Sequence, residues 1–439
     1  MSRYEQLIKD LGPQKFSLKG RLWVTLLIIM IVAGIAAYVD QLIKGQEVTN
    51  MRDYVLWGFY ISNFVFFVAT SFVAAVVVAV LRLTKNEWRR PFVRLAEIVG
   101  LACIVMAGIT IMIDMARPDR ILNLFIHARL QSPITWDVII IPTFMAVSIL
   151  LLYFPLLPDL AILRDHYADK YPRMSKIYGF FALKWQWTQK QLGIQQKSIH
   201  MVVLLIIPLG LILESIDAYL FSTTYRVGWD SSNLAPYFIS GAMVSGLGTL
   251  VAVAYIVRRH KRLEHYIRDY HFEKIGKLLS LALMIYIYFN INEYVVPLFT
   301  AKEAESEHLH TLLVGDYAVP FWVVTIFGLV LPAFLLLSRS MRKPKAMFYI
   351  SLFVVLGSYW KRYLIVTPTL LHPYLPIQGV PESWRHYFPS LHEWAITGAT
   401  LAAALLIITL LVRYVPVISI DRLAEEEGLE EAKHKNAAA

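Results

Sequence analysis

Apolar residues recur along this chain in runs near or above the roughly 20 that a membrane-spanning helix needs, with shorter polar stretches between them. The pattern predicts spans at 22–42, 54–81, 92–115, 134–156, 198–221, 234–257, 278–299, 317–338, 346–367 and 389–415. The expected fold class is therefore an all-α integral membrane protein of ten transmembrane helices, a single polytopic domain over residues 1–439. The charged tail, 421–439, is expected to be frayed and flexible. The second and last runs are long enough to tilt or to protrude. No soluble domain and no simple short-period repeat interrupts the series. We expect no cleavable signal peptide, because polar and basic residues precede the first run and no small-residue cleavage site follows it.

Charge orients these spans. Of the 42 Lys and Arg residues, 32 fall in the two terminal segments and the alternate loops that share their side, such as Arg164–Lys197, Arg258–Lys277 and Arg339–Lys345. The remaining ten, among them Arg117, Arg129, Lys302 and Arg362, fall on the other side. That bias places both chain ends in the cytoplasm and requires an even number of spans. Composition agrees: 57% of residues are hydrophobic and 17% charged, against roughly a quarter charged in soluble domains. The net charge of +10 is spread as short runs between apolar segments, which reads as topology rather than a nucleic-acid-binding face.

Two loops are long. The inner one, 157–197, carries Trp185 and Trp187 and reads as an interfacial helix anchored on headgroups. The outer one, 361–388, is set by Pro368, Pro373, Pro376 and Pro381 and offers a surface for a soluble partner.

Ionisable residues inside a membrane are expensive and mark function first. Asp114 ends the third span on the outside, and Asp137 lies one turn into the fourth, where it could instead cap its helix. Glu214 and Asp217 share one face of the fifth span, and two carboxyls there need a cation, a proton or water. Tyr286, Asn290 and Glu293 form a polar stripe in the seventh; Arg362 ends the ninth; His392 and Glu393 begin the tenth, where Glu393 could cap its helix. Arg94 and Glu97 sit toward the inside and read as a structural ion pair, and His127 reads first as a surface histidine. The acids thus crowd the outer leaflet. None of the 12 histidines lies at mid-depth, so a transmembrane haem with facing histidine ligands is not expected. The single cysteine, Cys103, cannot build a cluster, and no metal site is expected.

Several runs resemble the NrfD/PsrC family of quinone-interacting membrane subunits. They are Ser132-Pro133-Ile134-Thr135-Trp136-Asp137, Leu157-Pro158-Asp159-Leu160-Ala161 with Arg164-Asp165, and Gly228-Trp229-Asp230 followed by Ala235-Pro236-Tyr237-Phe238. Arg362-Tyr363-Leu364-Ile365-Val366-Thr367-Pro368-Thr369-Leu370 and Tyr387-Phe388-Pro389-Ser390-Leu391-His392-Glu393-Trp394 complete the set, in order and in fitting topological places. The ten-span layout is most similar to the branch in alternative complex III and the Dsr, Hmc and Qrc complexes.

The resemblance implies two four-helix bundles, spans two to five and six to nine, flanked by the first and last. It implies a quinone, menaquinone above all, oxidised or reduced near the outer face of a prokaryotic cytoplasmic membrane, with no haem and no iron–sulfur cluster in the chain. Electrons would pass to or from an extracytoplasmic ferredoxin-like iron–sulfur subunit, alongside a multihaem cytochrome c and other membrane subunits. On this reading Asp114, Asp137, Glu214 and Asp217 carry protons, and Asp114, His127, Trp136, Glu293 and Arg362 surround the head group. Some relatives carry a histidine where Asp114 stands. A carboxylate beside a quinol hydroxyl can act as general base, while the quinone itself carries the redox chemistry. A proton- or sodium-coupled transporter would place its acids at the midplane, and an inert anchor would not need them.

Overall fold

The computed structural model describes residues 3–83, 90–375 and 377–429, without the side chains of 79–83 and 90. Lys85 and Arg89 of the basic second loop, Pro376 and the tail beyond Leu429 lie outside the described residues.

Eight helices follow the first eight apolar runs: α1 (Leu18–Lys44), α2 (Phe59–Val78), α3 (Pro91–Asp114), α4 (Pro133–His166), α5 (Gln189–Ser222), α6 (Leu234–His260), α7 (Asp269–Thr300) and α8 (Ala318–Leu335). α9 (Pro344–Leu370) matches α1 in length, but Lys361 and Arg362 lower the hydropathy of its C-terminal half. With α10 (Leu391–Tyr414), nine helices among the described residues are long and apolar enough to cross a membrane, and α9 is the polar tenth. The protein is an all-α, multi-pass membrane protein.

Packing follows chain order. α2, α3, α4 and α5 touch in succession, and α2 closes the ring against α5. α6, α7, α8 and α9 form a second ring closed by α6 on α9. The rings meet where α6 packs on α2, α3 and α5 and where α9 packs on α2, and α2 is wholly enclosed. α1 lies along α10, which leans on α3 and α2. Without a hydrophobic force between helices in lipid, such contacts depend on small residues. A Cβ on Gly34 of α1 would come within 2.1 Å of Ala399 of α10. A Cβ on Gly328 would come within 2.5 Å of Gly357 Cα, and this approach falls in a seven-residue π-helical stretch of α8, Val324–Val330.

Three local expectations need correction. α4 runs on to His166 despite Pro142, Pro155 and Pro158, because the Leu157–Leu163 stretch is buried against its neighbours. Trp185 is buried at 4% exposure and Trp187 Nε1 donates to Asp421 Oδ1 at 3.3 Å, so this pair is tied into protein rather than headgroups. The start of the tail is a helix, Ile420–Glu426, whose Asp421 backbone N–H donates to Asp159 at 2.9 Å.

Candidate functional site

Glu214 and Asp217 stand on α5 where it faces the seam between the two rings. Both are 0% exposed, and none of their four carboxylate oxygens has a hydrogen-bond partner. Three charges reach Asp217: Asp137 from α4, Glu214 from its own helix and Arg362 from α9. Arg362 is equally enclosed. Its Nη2 donates to the Phe238 carbonyl at 3.4 Å, its Cζ lies 4.7 Å from the Phe238 ring centre, and Nη1 is left without a partner. Gly241 makes room for it, since a Cβ there would meet Arg362 Nη2 at 3.0 Å. Asp137 is buried, with Oδ1 unpartnered. Ser132 holds the N-cap position of α4, so Asp137 is not the cap that its position after Trp136 suggested.

Four of the eight expected site residues therefore converge: Asp137, Glu214, Asp217 and Arg362. Enclosed carboxylates without donors are costly unless they bind a proton, a cation or a ligand. Three carboxyls and one guanidinium in one place can hold and hand on protons.

Asp114 lies elsewhere. It closes α3 with Oδ1 enclosed and unpartnered, and the carboxylate whose charge reaches it is Glu393 of α10. Glu393 is 0% exposed and caps α10 through a reciprocal box with Ser390, which bears out its capping role. It also accepts from the Asn50 backbone N–H at 2.9 Å and from the Tyr387 hydroxyl. Tyr387 in turn accepts from the Phe59 N–H at 2.9 Å and lines a cavity of about 920 Å³ between α9, α10 and the segments 304–320 and 371–389. Tyr317, Trp360, Tyr363 and Trp394 give that cavity aromatic walls.

The remaining expected residues stand apart. Glu293 accepts from Ser231 at 3.2 Å and Asn233 at 2.9 Å in the second ring, near Lys361, whose Nζ donates to Tyr294 at 2.7 Å. Trp136 is half exposed and donates to the Leu130 carbonyl. His127 is exposed, just after the short helix Asn123–Ile126.

A family model described as "Polysulphide reductase, NrfD" matches residues 47–373. The chain belongs to the NrfD family. Three relatives align over nearly all of it. A putative dimethyl sulfoxide reductase membrane subunit of Halobacterium salinarum is 26% identical, over 92% of each chain. A selenate reductase subunit of Mesobacillus selenatarsenatis is 22% identical, over 91% of this chain and 95% of that one. The integral membrane subunit of a menaquinone reductase of Nitratidesulfovibrio vulgaris is 21% identical, over 92% and 94%.

Within this NrfD chain the structure adds residues that sequence reading left without a role. Lys361 adjoins Arg362 in α9, and a Lys-Arg pair inside a span was itself a signal. Tyr387 links Glu393 to the aromatic-walled cavity, a contact between segments that no spacing announces. Trp229 of the Gly228-Trp229-Asp230 run is structural: its indole donates to the Ile365 carbonyl at 3.0 Å, tying the loop before α6 to α9.

Proposed function

We propose that this chain is the quinone-reactive membrane subunit of a respiratory oxidoreductase, which oxidises or reduces menaquinone near the extracytoplasmic face. The observation that carries the reading is the Glu214–Asp217 pair, fully enclosed with all four oxygens unpartnered and met by Asp137 and Arg362. Quinol oxidation releases two electrons and two protons, and reduction takes up the same number. Enclosed carboxyls positioned as general bases or acids suit the protons. The electrons are exchanged with an extracytoplasmic ferredoxin-like iron–sulfur subunit, since one cysteine gives this chain no cluster of its own. A multihaem cytochrome and further membrane subunits complete the assembly. Support comes from relatives named as subunits of reductases, one of them a menaquinone reductase. The aromatic walls of the separate cavity beside Tyr387 suit a ring and prenyl tail.

The test is to purify the complex in mild detergent, extract its lipids and measure quinol-dependent reduction of an artificial acceptor. Co-purified quinone and quinol-driven turnover are expected. Absence of both, or stoichiometric iron or haem on the isolated chain, overturns the reading.

A further inference from the structure

On the face that carries both chain ends, a cavity of about 1340 Å³ opens between the α6–α7 loop, the N-terminal helix Arg3–Leu11 and the segment 417–427. Its described lining changes along its length. Lys261, Arg262, Arg268 and Arg422 come from the loops and the C-terminal segment, whereas Val93, Leu151 and Val203 come from α3, α4 and α5. Val203 lies five residues into the span expected at 198–221, roughly 8 Å along the axis at the usual rise. The cavity is therefore basic at the surface and carries apolar side chains where the spans begin, beside Arg94 and Glu97 of α3.

The charges at its mouth are unbalanced. Arg3 is neutralised by Glu427 and Arg94 by Asp159. Asp10, Glu97 and Glu426 also line the space. None of these answers Lys261: its Nζ is enclosed without a hydrogen-bond partner, and the one charge reaching it is another cation, Arg413. Burial first, and Arg413 second, push the Lys261 ammonium down to about 8. Arg413 also has its Nε enclosed and unpartnered, with its guanidinium 3.6 Å from the Phe16 ring centre. An anion is the missing partner of this pair. Basic pockets among spans at a membrane surface suit phosphate headgroups.

We propose that this cavity binds one anionic phospholipid, its phosphate held by Lys261 with Arg262 and Arg268 at the mouth and an acyl chain along Val93, Leu151 and Val203. A free phosphate would share the polar contacts but leave the apolar wall unfilled.

The test uses the purified full chain, delipidated in neutral detergent, with native mass spectrometry and thermal melting as readouts. Phosphatidylglycerol should bind saturably and raise the melting temperature, while phosphatidylcholine and inorganic phosphate at equal concentration should not. Lys261→Gln should weaken phosphatidylglycerol about fivefold, the worth of one surface charge. The same variant should raise the melting temperature of lipid-free protein, because it removes an enclosed, unanswered cation. Arg262→Gln, at an exposed position, should weaken binding similarly and leave lipid-free melting unchanged. Equal stabilisation by inorganic phosphate makes this a free-anion pocket and overturns the lipid assignment. Equal binding of phosphatidylcholine, or unchanged affinity in both variants, also overturns it.

Discussion

The Arg94 guanidinium lies 2.6 Å from the Asp159 carboxylate, and both side chains are buried. Glu97, one turn along α3, is not the partner that local spacing suggested. Arg94 also donates to the carbonyls of Pro416 at 2.7 Å and Pro155 at 3.2 Å. Asp159 accepts from Ser419 at 3.2 Å and from the Asp421 N–H at 2.9 Å. The Leu157-Pro158-Asp159-Leu160-Ala161 run thus fastens α3, α4 and the C-terminal segment together. Removing one partner of a buried pair strands the other, at a cost of about 3–5 kcal/mol. Asp159→Asn should lower the melting temperature and the membrane yield, with Asp165→Asn, on a half-buried pair with Arg164, changing little. Normal stability of Asp159→Asn in a thermal-melting assay of purified protein would contradict this role.

How much of this was legible follows from what a transmembrane sequence encodes. The apolar runs announce the long helices, and expected depth grouped Asp114, Asp137, Glu214 and Asp217, of which the structure brings the last three together. Azimuth is another matter. A span that is apolar all round carries no facing signal in its periodicity, so nothing in α3 told that Asp114 turns toward Glu393 rather than toward the α5 acids. Long-range partners were equally hidden. Arg94 finds Asp159 65 positions away, whereas the nearer Glu97 was the natural guess. The Ser390-to-Glu393 capping box is local, and it was readable.

His308 offers a pH test outside the membrane-spanning helices. It is buried in the helix Glu303–Leu313, with its ring 5.4 Å from that of His372. Burial, then the neighbouring His372, pushes its imidazole down to about 3. An unfolded histidine titrates near 6.5. Above that value both states are neutral and His308 imposes no penalty. As pH falls below it the unfolded segment takes a proton that the folded one refuses, and local stability drops by about 2 kcal/mol by pH 5. Hydrogen exchange across 303–313, corrected for intrinsic rates, should report that loss between pH 7 and 5. His308→Gln should flatten the dependence, and an unchanged pH profile in the variant would rule this histidine out.

Both chain ends share one face. Arg3 grips Glu427 through two bonds of 2.8 and 2.9 Å, and hydrogen bonding to Arg3 holds the Glu427 carboxyl below its usual value. Tags placed at the N-terminus and at the C-terminus should therefore report the same compartment. On the basic bias, that compartment should be the cytoplasm. Opposite locations would break the even-span fold, and two extracytoplasmic ends would invert the placement of every acid discussed above.

The last prediction separates the two acid groups by their energetics. Asp217 feels Asp137, Glu214 and Arg362, whereas Asp114 feels Glu393 across the α3–α10 contact. If the α5 cluster handles the quinol proton, Asp217→Asn and Glu214→Gln should each lower quinol-dependent electron transfer by about 10²-fold, the scale of a lost general base, with the complex still assembled. Asp114→Asn should also impair turnover, since its carboxylate Oδ1 is enclosed and unpartnered. Glu97→Gln, near the opposite face, should leave quinol oxidation close to normal. Double variants then decide whether there is one site or two. Residues in contact couple, and separated ones add within about 0.5 kcal/mol. Asp137→Asn combined with Asp217→Asn should fall well short of the product of the single effects, because either change disables the same proton-handling group. Asp114→Asn combined with Asp217→Asn should multiply. Strong coupling between Asp114 and Asp217 would mean that both serve one proton, and the division drawn here between the α5 acids and the α3–α10 pair would have to be abandoned.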